Sequence, residues 1–197
     1  MISDKDIVHL YEKYQTPTRI QDHQRVVATV VMVIGRRLNE AGWNLNLKVV
    51  RAAAFLHDIG KIFQLEPERM KSLKDIIHKK ENLHHAMIGR RILEKENAPE
   101  IGRLTSLHVG SVFLRQPELY TGEEEKLLLL GDMRVIEDEV CNIEIRMDYI
   151  EKRYGLIYGK GKELILGLEG EYFSAINLKP PELGELVQKE GLVSLER

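Results

Sequence analysis

Along most of the chain apolar residues recur at spacings of three and four, and segments that alternate apolar with polar residues over four or more positions are few. A period near 3.6 gathers such residues on one face of a helix, whereas a half-buried strand needs a period of two. The chain therefore reads as all-α. Its 197 residues are 43% apolar, enough for one domain with a sizeable core. No internal repeat, low-complexity tract or long linker divides it, so residues 1–197 are expected to form a single helical bundle.

Charge narrows the classes of partner. The 29 basic and 31 acidic residues nearly cancel and form no long block of one sign, which leaves no electrostatic footprint for a nucleic-acid polymer or an anionic membrane. The opening MISDKDIVHLYEKY lacks the basic-then-apolar pattern of a secretory signal, and no apolar run approaches bilayer length, so a cytoplasmic location is expected. Cys141 is the one cysteine, which rules out an internal disulfide and a multi-thiolate zinc site. A metal would have to be held by nitrogen and oxygen.

The helical pattern turns several polar residues inward. A first helix spans about Ile2 to Tyr14 and stops before Pro17, which disfavours helical geometry at Thr16. The next runs to about Asn39, and its stripe of Val27, Val30, Ile34 and Leu38 extends back one turn to His23. A third, capped by Asn44 or Asn46, carries Leu47, Val50, Ala54 and His57 on one stripe, with Asp58 adjacent and Gly60 suited to the C-terminal end. A helix from about Glu81 to Lys95 aligns His85 with Ile88 and Ile92. One opening near Pro99 aligns Ile101, Leu104 and His108. Thr121 and Glu124 resemble a capping box before KLLLL, a run apolar all round, and that helix places Asp132 on a stripe with Leu128 and Val135. Past Cys141 come a helix to about Tyr154, a glycine-rich turn from Gly155 to Gly161, a helix to about Leu178, and a break at Pro180 and Pro181 before a short tail.

One histidine on an apolar face is more often a hydrogen-bonded core residue than a ligand. The set carries the case. His23, His57, Asp58, His85, His108 and Asp132 fall on buried stripes or helix ends of five expected helices, where an imidazole or carboxylate is stable only if something polar meets it. Nitrogen and carboxylate ligands without thiolates suit divalent ions, and a carboxylate such as Asp58 can bridge two. Four ligands would hold one ion and six would hold two; a two-metal centre can orient a water, lower its pKa and stabilise charge on phosphoryl oxygens.

In this order, His23, then the doublet His57-Asp58 within FLHDIGK, then Asp132 within LLLLGDMRV, the chain resembles the HD superfamily of metal-dependent phosphohydrolases over roughly residues 17–150. Residues 151–197 are then a C-terminal helical extension. The resemblance implies an all-α HD-type bundle with a metal site in its core, where His23, His57, Asp58 and Asp132 bind one ion. In members with two further histidines a second ion binds, and LHHAMIGRRIL and LTSLHVG place those at His85 and His108. The match through HAMIG selects His85, as its stripe does, and leaves His84 beside the site or on the surface. The implied cofactor is one or two divalent ions per chain, from iron, manganese, cobalt, nickel, zinc and magnesium.

The implied activity is hydrolysis of a phosphomonoester or phosphoanhydride bond of a nucleotide or related small metabolite by a metal-activated water. Asp58 and Lys61 are the catalytic candidates, and Lys61 and Arg146 the candidates for binding substrate. Lys61 as a solvated residue past a helix end, and Arg146 as the partner of a carboxylate, are the plainer readings. Arg19, Arg25, His9 and His78 read as surface, and Trp43, Tyr11 and Tyr14 as packing. The stretch GLIYGKG lacks the spacing of a phosphate-binding loop. No GYP follows His108, which disfavours cyclic dinucleotides; the spacing resembles small stand-alone members, hydrolases of dinucleoside polyphosphates among them. Two alternatives share the same ligand set: a di-iron oxygenase of the superfamily, and a non-catalytic nucleotide-binding or signalling module. Apolar stripes on the terminal helices leave a homodimer open.

Overall fold

The computed structural model describes residues 2–73, 75–77, 84–156, 158–159 and 161–196. Among these the chain forms α1 (Asp4–Lys13), α2 (Thr18–Glu40), α3 (Leu47–Leu56), α4 (Lys61–Leu65), α5 (His85–Lys95), α6 (Pro99–Ser106), α7 (Gly110–Arg115), α8 (Glu123–Asp132), α9 (Ile143–Tyr154), α10 (Gly161–Ala175) and α11 (Glu182–Glu190). Between α8 and α9 lies a small antiparallel hairpin, Val135–Ile136 (β1) against Glu139–Val140 (β2). The protein is all-α apart from that hairpin.

The axis is α2, whose Val27, Val30, Ile34 and Leu38 are wholly excluded from solvent. Packed against it are α3, α8, α10 and α11. The run Leu127–Leu130 of α8 is buried on every face, each side chain contributing about 1.5–3 kcal/mol relative to exposure. Gly131 permits this approach, since a Cβ there would collide with Val31 of α2. Close contact of α8 with α2 is what sets Asp132 beside His23. No helix among the described residues is long and apolar enough to cross a membrane.

Local chemistry explains most boundaries. Ser3 and Asp6 form a reciprocal capping box that starts α1. Asn46 caps α3 by accepting from the Val49 amide at 3.3 Å. Gly155, at φ 66°, closes α9 in the left-handed conformation. The segment after α11 folds back over α2 and the start of α1, where the Val193 amide donates to Thr29 Oγ1 at 3.1 Å and the Glu196 amide to Asp4 at 2.9 Å.

Four expectations need correction. Gly60 is not a left-handed cap: its φ is −80°, and it opens α4. Glycine is needed there because a Cβ would strike the His85 carbonyl and lie 2.6 Å from the Gly89 amide nitrogen. Thr121 and Glu124 do not cap α8; Thr121 accepts from Arg103 and Glu124 from the Asn46 amide, so long-range bonds replace the local ones. His108 lies beyond the end of α6, not on a helical stripe. The residues after Pro181 form α11, held by Leu183 and Val187 in the core, not a bare tail. His78 and residues 81–83 of the expected fifth helix lie outside the described residues.

Candidate metal centre

His57 and Asp58 occupy the turn between α3 and α4, where the chain leaves helical carbonyls without amide partners. His57 uses one of them: its Nδ1 is 2.8 Å from the carbonyl of Ala54, three residues back. His108 repeats the device after α6, with Nδ1 2.6 Å from the Thr105 carbonyl. His23, on α2, places Nδ1 2.6 Å from the Glu137 carbonyl, in the turn of the hairpin. His85, the first residue of α5, places Nδ1 2.9 Å from Gln64 Oε1. Each Nδ1 therefore meets an oxygen acceptor. Assigned from this network, the hydrogen of each ring sits on Nδ1 and the lone pair on Nε2.

Those Nε2 atoms converge on the two carboxylates. His23 Nε2 lies 3.1 Å from Asp132 Oδ1, and His57 Nε2 3.7 Å from the same oxygen. Asp58 stands between the two halves of the cluster. Its Oδ2 is 3.9 Å from His23 Nε2 and 3.8 Å from His57 Nε2, while its Oδ1 is 3.2 Å from His85 Nε2 and 3.6 Å from His108 Nε2. His85 and His108 bring their Nε2 atoms to 3.2 Å of each other. Two lone pairs at that range repel unless a positive charge lies between them. Ligand nitrogens about 2.0–2.1 Å from an ion are themselves separated by roughly 3–3.5 Å.

The donor set fits a divalent cation on a further count. His57 Nε2 and Asp58 Oδ1 are buried with no hydrogen-bond partner among the described residues, although His85 is near the latter in poor donor geometry. Each such orphan costs about 1–3 kcal/mol in a folded chain. Two triads have ligand atoms within 4.8 Å of one another, His23–His57–Asp132 and His57–Asp58–His108.

The electrostatics are those of a site built around lone pairs. Burial drives the His57 imidazole down to about 3, against the pull of Asp58. Burial also lowers His85. Burial opposes the charge on Asp58, but Lys61 and His57 outweigh it and hold the carboxyl well below the usual range. Asp132 behaves alike, with Arg146 and His23 prevailing over burial. His108 moves the other way because Asp58 outweighs its burial.

Two cations border the cluster. Lys61 Nζ is 2.6 Å from Asp58 Oδ2, and Arg146 Nη2 is 3.2 Å from Asp132 Oδ1, with the Arg146 Nε buried and without a partner among the described residues. Two cavities meet here, sharing Asp58, Lys61, Leu65, Arg146 and Tyr154. One, of about 490 Å³, passes over His85, His108 and Asp132. The other, of about 440 Å³, passes over His23 toward Arg19 and Arg153. A larger cavity of about 1060 Å³ lies between α1 and the C-terminal segment and holds none of these six residues.

The fold thus brings together His23, His57, Asp58, His85, His108 and Asp132, with Lys61 and Arg146 at the rim. His84 is exposed, its ring centroid 4.0 Å from that of His85. His9 is exposed, Arg25 pairs with Asp22 at 2.7 Å, and Arg19 stands on a cavity rim. Two contributors carry no signature in the sequence. Gln64 orients His85 from a five-residue helix, and Glu137 orients His23 through a backbone carbonyl, which any residue could offer.

Among known protein families, the model described as HD domain matches residues 20–139, well over half of the chain and a span that includes all six residues of the cluster. Comparisons with the curated proteins and with the solved structures return no match.

Proposed function

The chain belongs to the HD domain family, a superfamily of the metal-dependent phosphohydrolase type, and from that premise we propose that it hydrolyses a phosphomonoester or phosphoanhydride bond of a nucleotide or related small metabolite. One observation carries the reading. Four imidazole nitrogens and two carboxylates converge with their lone pairs inward, and His57 Nε2 and Asp58 Oδ1 have no hydrogen-bond partner among the described residues.

In this proposal His23, His57, Asp58 and Asp132 hold one divalent ion, and Asp58, His85 and His108 a second. The two faces of Asp58 support that division, Oδ2 toward His23 and His57 and Oδ1 toward His85 and His108. A divalent ion bound there supplies Lewis acidity, lowering the pKa of a water and offsetting charge on phosphoryl oxygens. The chain's own residues do the rest. The Nδ1 hydrogen bonds of the four histidines fix each ring before substrate arrives, so little reorganisation is needed during reaction. Lys61 and Arg146 reach from the shared rim of both cavities to the phosphoryl oxygens, each with an anionic partner that orients it. Asp58 and Asp132 stay ionised throughout the working range, since their carboxyls are held far below neutrality.

The test combines elemental analysis with turnover. Protein purified without chelator should carry bound divalent metal and release phosphate from nucleotides or aryl phosphates, and Asp58→Ala should lose turnover and at least half of the metal while remaining helical by circular dichroism. Normal hydrolysis by Asp58→Ala would sink the proposal.

A further inference from the structure

The cavity of about 490 Å³ has a floor and an arm of opposite character. On the floor lie Asp58, His85, His108 and Asp132; the arm is walled by Gly110, Met133, Ile150, Leu156 and Tyr158, with Ser111 the polar residue beside Gly110. Chain continuity joins the two. Gly110 follows His108 by two residues, Met133 follows Asp132, and Ile150 stands one helical turn beyond Arg146 on α9. The groups proposed to meet the phosphate thus pass within a turn into an apolar wall.

Tyr158 closes the arm. It is 5% exposed, and its hydroxyl lies 3.9 Å from the Met133 sulfur, a weak acceptor. A Cβ added to Gly110 would come within 3.3 Å of that hydroxyl and 3.5 Å of the Met133 sulfur, so a larger residue at position 110 would press against Tyr158 and Met133 and take up the space of the arm. Buried hydroxyls ordinarily have an oxygen or nitrogen partner, and this one has none among the described residues. The second cavity differs in kind. Its wall is mixed, with Arg19, Asp22, Asp138 and Arg153 carrying charges of both signs beside Ile20 and Tyr149, so an apolar group there would lie against ionised side chains.

From this asymmetry we infer that the apolar arm takes the organic group attached to the phosphorus, and that it selects a flat, mainly apolar group between a phenyl ring and a nucleoside in size. A methyl group, a polyol or an inorganic polyphosphate would leave the wall unfilled. The volume is within the roughly 300–1,000 Å³ of small-ligand pockets. Tyr158 supplies a hydrogen bond to a polar atom at the far end of the group. The inference rests on the reading above only in placing the phosphoryl group at the cluster.

Phosphonates test it without requiring turnover. Calorimetric titration of the metal-loaded full chain should show phenylphosphonate binding about tenfold or more tighter than methylphosphonate, the scale of burying an aromatic ring. Gly110→Leu should bring the two affinities together, and Tyr158→Ala, which opens the wall instead of filling it, should shrink the ratio independently. Tyr158→Phe should spare phenylphosphonate but weaken a nucleoside 5′-phosphonate several-fold. Equal affinities in the wild type, or a ratio unmoved in both Gly110→Leu and Tyr158→Ala, would overturn the inference. A clear preference for the phenyl group in a protein that hydrolyses no phosphate ester would leave the arm standing and overturn the proposed reaction. Failure of both phosphonates to bind would overturn both.

Discussion

Two sets of ionisable groups are buried within two residues of each other along the chain, and they are finished in opposite ways. Arg134, 1% exposed, gives Nη1 to the buried carboxylate of Glu169 and Nη2 to the Pro180 carbonyl at 2.7 Å. Its guanidinium lies 5.5 Å from the Phe173 ring centroid. Both terminal nitrogens meet acceptors, though Nε finds none among the described residues, and the result ties the end of α8 to α10 and to the approach to α11. Around Asp132 it is acceptors that are in surplus: His57 Nε2 and Asp58 Oδ1 have no hydrogen-bond partner among the described residues, and the Nε2 atoms of His85 and His108 face each other at 3.2 Å. Burial of charge is common to both regions; complementarity is not. A charge matched inside the chain braces the fold, whereas converging acceptors call for a cation from outside.

The largest expected effect breaks the open region. Asp58→Ala should reduce phosphate release by roughly 10³-fold or more, the scale of removing an electrostatic group from a preorganised site. Elemental analysis should show at least half the metal gone, while the metal-free variant melts close to the metal-free wild type. Arg134→Met is the mirror experiment. It leaves Glu169 as an unmatched buried charge and should cost about 3–5 kcal/mol in urea unfolding. The metal content of the folded fraction should be unchanged, and Glu169→Leu in the same chain should recover much of the loss. If Arg134→Met strips metal while stability holds, the division between brace and site is wrong.

Gly60→Ala sharpens the comparison at the seam between the two halves of the cluster. The added methyl would meet the His85 carbonyl and the Gly89 amide, so α5 must shift from the turn that carries His57 and Asp58. A cost of about 1–3 kcal/mol is expected from such overpacking. Because His85 rides on α5 and His23 does not, the variant should lose the more weakly held ion first. Elemental analysis of graded dialysis samples should therefore fall to about half the wild-type metal before it falls to none. Simultaneous loss of all metal would show that the halves are not separable.

Much of the bundle was legible because its signal is local. The stripe through Val27, Val30, Ile34 and Leu38 is a helical period, and following it back one turn finds His23 with no knowledge of the fold. His57 and His108 were found by the same rule for partly the wrong reason. Both lie just past a helix end, where extrapolated periodicity still points inward, and what holds each is the carbonyl three residues back. Tertiary choices stayed hidden. Thr121 and Glu124 have the letters of a capping box, yet Arg103 and the Asn46 amide take their side chains. The hairpin that supplies the Glu137 carbonyl is too short for a period of two to register, and α11 is stabilised by a core that exists only once the other helices have assembled.

Asp4 provides the smallest effect and a third kind of ion pair, one at the surface. Its carboxylate takes two bonds from Arg51, at 2.5 and 3.0 Å, and one from the Glu196 amide, so it links α1, α3 and the C-terminal segment. The Arg51 hydrogen bond is the chief reason its pKa falls below the ordinary 3.8. A carboxyl depressed on folding contributes stability that is full above its unfolded value and lost as pH falls through its folded value. Solvent screening keeps the contribution to at most about 1 kcal/mol. Urea midpoints of wild type and Asp4→Asn should therefore differ modestly at neutral pH and converge well below pH 3.8. A gap that persists in acid would mean that the asparagine disturbs packing and not charge. A gap as large as that of Arg134→Met would mean that the C-terminal segment is braced from its tip as firmly as from its root.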